Sequence, residues 1–92
     1  MQVEQAETVA AQALGWMVGE EGLFDVFLGA SGVALNEVKA RAAEPEFLAA
    51  VLDFLLQADS HVTAFCDAAG LPYDAPLRAR AALPGGAPPD WT

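Results

Sequence analysis

Pro45-Glu46-Phe47-Leu48-Ala49-Ala50-Val51-Leu52-Asp53-Phe54-Leu55-Leu56 is the stretch that decides the fold. Pro45 sits where a first-turn proline belongs, because its missing N–H would be unsatisfied there anyway. After it, Phe47, Leu48, Val51, Leu52, Phe54, Leu55 and Leu56 leave only a thin polar strip of Glu46, Asp53 and Gln57. A helix that is apolar almost all round is one surrounded by others. This helix, predicted to run to about Gln57, is expected to be the centre of the core.

Working outward, glycines and prolines divide the rest into further helices. The first is predicted over about Glu4–Val18, stopping near Gly19. A second covers about Glu21–Ala30 and ends at Ser31-Gly32, where glycine supplies a left-handed cap. A third spans roughly Leu35–Ala43. Asp59-Ser60 is expected to cap a fifth, which ends at Gly70, and Asp74-Ala75-Pro76 opens a sixth that ends at Leu83. The remainder, Pro84-Gly85-Gly86-Ala87-Pro88-Pro89-Asp90-Trp91-Thr92, is too rich in breakers for helix. Apolar residues do not alternate with period two over any useful length, so no sheet is expected. The first helix carries Val9, Ala13, Trp16 and Met17 at helical spacing on one side, which predicts an outlying position.

The chain also repeats itself. Shifted by 38 positions, Glu7–Gly32 falls on Pro45–Gly70 without a gap, pairing Val9 with Phe47, Trp16 with Phe54, Phe27 with Phe65 and Gly32 with Gly70. With Leu71 as an insertion, Lys39-Ala40-Arg41-Ala42-Ala43 then falls on Arg78-Ala79-Arg80-Ala81-Ala82. The expected architecture is one all-α domain over residues 1–92, a compact six-helix bundle. It would consist of two tandem three-helix units, 7–44 and 45–83, related by a pseudo-twofold, with a Pro/Gly-rich tail at 84–92.

Composition narrows function more by exclusion. Thirteen acidic residues against four basic ones give a net charge of −9, which keeps an alanine-rich surface in water and repels phosphates and anionic membranes. Its longest apolar run, Phe47 to Leu56, contains Asp53 and is about half the ~20 residues a membrane span needs. An acidic, polar start without a basic region and the single Cys66 together point to the cytoplasm, with no signal peptide.

All four cations, Lys39, Arg41, Arg78 and Arg80, fall in the two matched motifs. One reading is structural: cations near a helix C-terminus complement its dipole and pair with neighbouring acids. The other is recognition, in which arginines bind a carboxylate or phosphate bidentately. The segment Phe24–Arg41 also resembles a helix-turn-helix, yet it lacks the array of base- and phosphate-contacting groups that DNA binding needs. Only a dimer could assemble a basic face, which speaks against nucleic acid as a partner.

Catalysis finds little in the sequence. His61 is the sole histidine and pairs with Leu23 in the repeat, so a half-buried or surface position is expected. Cys66 pairs with Leu28, which suits a small core residue better than a nucleophile. No metal-ligand spacing and no phosphate-binding glycine loop is present, so no cofactor is called for. Trp91 in the tail is a candidate for docking back on the helices or for binding a partner.

Glu7–Trp16, Glu46–Leu56 and Ala79–Gly86 together resemble a family of short bacterial proteins, mainly alphaproteobacterial, classed as a domain of unknown function. That resemblance implies a helical cytoplasmic protein without an assigned activity. Val33-Ala34-Leu35-Asn36 departs from it by lacking an Asp-Pro helix start. The reading as a whole is a non-enzymatic protein-interaction module, with self-association included in that class. Its alternative is a regulator that binds a small ligand or anion through Arg41 and Arg80.

Overall fold

The computed structural model describes residues 1–83. They form six helices: α1 (Val3–Gly19), α2 (Leu23–Ser31), α3 (Leu35–Arg41), α4 (Pro45–Leu56), α5 (Asp59–Ala69) and α6 (Ala75–Ala82). There is no strand among the described residues. No helix among them is long and apolar enough to cross a membrane. The expectations for the tail, Trp91 included, lie outside the described residues.

As its circumference requires, α4 is the core helix, burying Phe47, Leu48, Ala49, Val51, Leu52 and Leu55, while Phe54 is half-buried. The expected outlying position of α1 is overturned: α1 packs against α2, α4, α5 and α6. Its buried face is made largely of Ala6, Ala10 and Ala13, with Val9 and Met17. Alanine signals little by hydrophobicity, but it lets a neighbouring helix approach closely. On α6 the buried residues are equally small, Ala75, Pro76 and Ala79, and this helix lies on both α1 and α4.

The halves run in the same helix order, and their second helices stop alike. Gly32 and Gly70 both adopt left-handed backbone, with φ of +75° and +70°. Their N–H groups donate to the carbonyls of Leu28 and Cys66. The third helices differ, because α3 buries no residue where α6 buries three.

Two predicted starts are corrected. Helix α2 begins at Leu23, not Glu21, since Gly22 turns the chain with φ of +78°. Ala58, not Asp59-Ser60, precedes α5; Asp59 is the first helical residue, its carboxylate placed to favour the N-terminal dipole. At α3 the missing Asp-Pro start is offset by Glu37, whose Oε1 accepts the Ala34 N–H at 3.1 Å.

Candidate functional site

The four cations of the two matched motifs lie on α3 and α6. Arg41, in the last turn of α3, meets the Glu44 carboxylate at 3.3 Å and lies 6.0 Å from the centre of the Phe47 ring. Arg78 stands one turn after Asp74, 4.0 Å away, and both are exposed. Arg80 reaches from α6 to Asp53 on α4, with only 17% of its side chain exposed. Lys39 is exposed and has no carboxylate partner among the described residues. Arg41 and Arg80 thus each face a carboxylate of the chain itself.

A different place gathers the aromatic residues. At the end of the bundle where α1 and α4 finish and α2 and α5 begin, an open cleft of about 890 Å³ forms. Trp16 and Glu20 come from the end of α1, Glu21 and Gly22 from the turn, and Leu23 and Val26 from α2. The other side is Phe54, Gln57 and Ala58, followed by Ser60, His61 and Ala64 from α5. Its volume lies within the ~300–1,000 Å³ typical of ligand-binding pockets.

His61 sits between two rings, edge-on to Trp16 at 6.3 Å and stacked with Phe54 at 6.4 Å. Trp16 rests on Phe65, and Phe54 on Phe27, so buried rings hold both cleft aromatics in place. This is a prebuilt apolar floor with polar groups at its edge.

The lining obeys the register of the sequence repeat. Trp16 and Phe54, Glu20 and Ala58, Gly22 and Ser60, Leu23 and His61, and Val26 and Ala64 are pairs 38 positions apart, and every one of these residues lines the cleft. Two smaller hollows follow the same register. One has Gln12, Trp16, Phe65, Ala68 and Ala69 on its walls, and the other has their counterparts Ala50, Phe54, Phe27, Ala30 and Ser31.

With that geometry in view, one family profile, described as "Protein of unknown function (DUF3572)", matches residues 3–86. The chain belongs to this family. No curated protein and no solved structure matches it. The DUF3572 profile takes in all six helices and so both walls of the cleft.

Cys66 of this DUF3572 chain is buried, and its Sγ donates to the Pro72 carbonyl at 3.3 Å. Burial pushes its thiol up, aided by the negative charges of Asp67 and Asp74. A thiol held protonated this way is a core residue in its chemistry. Tyr73 is pushed up as well, because its hydroxyl donates to Asp67 at 2.7 Å. Among the described residues, no group of three His, Cys, Asp or Glu side chains is placed to hold a metal ion.

Trp16, Phe54 and His61 lie on three different helices, and their positions along the chain do not by themselves bring them together. The signal available in the sequence was the 38-position offset, which pairs Trp16 with Phe54 and Leu23 with His61.

Proposed function

We propose that this chain is a non-enzymatic protein-interaction module whose contact surface is the cleft between the ends of α1 and α4. One observation carries the reading: an open, aromatic-floored cleft whose walls are held rigid by buried Phe27 and Phe65. Well-packed pockets with a tryptophan are among the features on which protein contacts concentrate their energy. Exposed Val26, at 59%, extends the apolar floor to the rim. In this reading the chain arose by duplication of a three-helix unit, with residues 7–44 and 45–83 as the copies. The cleft then lies on their shared pseudo-twofold, and Arg41 and Arg80 serve structure through Glu44 and Asp53.

The test is site-specific photo-crosslinking in cells of the source organism. A photoreactive residue at Val26 should give a discrete crosslinked product, and one at exposed Leu77 on α6 should not. Ala64→Arg, which fills the cleft from an exposed position without removing a core residue, should abolish that product while leaving the circular dichroism unchanged. Identical products from both positions, or products indifferent to Ala64→Arg, would place the contact surface elsewhere.

A further inference from the structure

We propose that the occupant of this cleft is a basic segment of a partner protein, carrying a lysine or arginine beside an aliphatic anchor. This rests on the reading of the cleft as the contact surface and adds to it the chemistry of the partner. The two walls are matched in sequence register and unmatched in the charge of their linings. Trp16 and Phe54, and Leu23 and His61, are counterparts on the two walls, but Glu20 and Glu21 line one wall, whereas Ala58, the counterpart of Glu20, is uncharged and Asp59, the counterpart of Glu21, lies outside the lining. No lysine or arginine lines the cleft, and Glu20 and Glu21 form no ion pair among the described residues.

An entering cation therefore meets two carboxylates that no cation of the chain already engages. It also meets the Trp16 indole, the aromatic face that attracts ammonium and guanidinium groups best. An aliphatic neighbour on the same segment finds Val26 and Phe54. The same carboxylates repel acidic segments, and the net charge of −9 extends that selection to the approach in solution. Because the lining carboxylates lie on one wall, the segment binds in one orientation.

The experiment titrates the full chain with two synthetic peptides of equal length, one built from leucine, alanine and lysine and the other with glutamate for lysine. Binding is followed by the NMR signals of the Trp16 indole and the His61 ring. The lysine peptide should move both signals, and the glutamate peptide should bind at least about tenfold more weakly. Glu20→Gln with Glu21→Gln should weaken the lysine peptide about tenfold, as expected for two partly solvated charge contacts. Glu4→Gln with Glu46→Gln, at the opposite ends of α1 and α4, should leave it unchanged.

Equal binding of both peptides overturns the charge assignment and leaves the cleft standing as a contact surface, since the Val26 crosslinks do not depend on charge. Lysine-peptide binding that survives loss of Glu20 and Glu21 but fails with Glu4 and Glu46 is general attraction to an acidic surface, and also overturns it. So does failure of the lysine peptide to bind. A parent chain that doubles in mass with concentration, and stays single in Ala64→Arg, gives the cleft to a second copy instead.

Discussion

Trp16 and Phe65 meet across α1 and α5 with ring centres 6.0 Å apart and planes at 58°, and their repeat counterparts Phe54 and Phe27 meet across α4 and α2 at 5.4 Å and 66°. Phe27 and Phe65 are each only 1% exposed. Phe27→Ala and Phe65→Ala should therefore each cost about 3–5 kcal/mol through the cavities left behind. Urea unfolding of both variants measures this. A large loss at one position with almost none at the other would separate the roles of the two halves.

The paired glycine stops give a second expectation. Nothing lies within 4 Å of a Cβ built at Gly32 or Gly70, so alanine would meet no clash there, only an unfavourable backbone at φ of +75° and +70°. Each glycine-to-alanine change should cost about 1–2 kcal/mol, the usual penalty for a side chain in left-handed backbone. Thermal or urea unfolding of each variant checks it, and a gain in stability would contradict the observed φ.

Arg80 and Asp53 tie α6 to α4 across 27 residues of chain, whereas Arg41 and Glu44 are three apart and exposed. A double-mutant cycle with Arg80→Gln and Asp53→Asn should show coupling of about 1 kcal/mol, discounted because Asp53 is half in solvent. The same cycle at Arg41 and Glu44 should fall below about 0.5 kcal/mol. Equal coupling in both would mean that burial of Arg80 contributes nothing.

Stability should decline at alkaline pH. Burial raises the Cys66 thiol above its ordinary 9.0, so between that value and the higher folded one the native chain holds a proton that the unfolded chain has lost. Stability is then fully present below pH 9 and falls as pH climbs through this window. Tyr73, raised from 10.0 by its bond to Asp67, acts in the same direction. Urea midpoints taken at successive pH values should drop less steeply in Cys66→Ala than in the parent.

Much of this was legible in the residues. Phe47 to Leu56 announced the core because no helical face of that stretch is polar enough for water. Gly32 and Gly70 announced their caps because other residues resist positive φ. The place of α1 was not legible, since Ala6, Ala10 and Ala13 act through size, which a hydrophobic pattern does not record. Nor could sequence separate α3 from α6. Both carry the same basic motif, yet α6 presents Ala75, Pro76 and Ala79 to the bundle, while α3 leaves Leu35 67% exposed. Trp16 and His61, 45 positions apart, meet because the end of α1 lies beside the start of α5, which no local pattern records.

Helix α6 lies on α1, so the earliest of the six helices along the chain is joined by the latest of them. While the chain is being synthesised, α1 can gather α2 and later α4, but one side of it remains bare until Ala75–Ala82 has emerged. The packing around α1 is thus completed only once the sixth of these helices is available. A chain cut short after Gly70 would carry α1 and α4 without the helix that bridges them, a natural target for quality-control proteases.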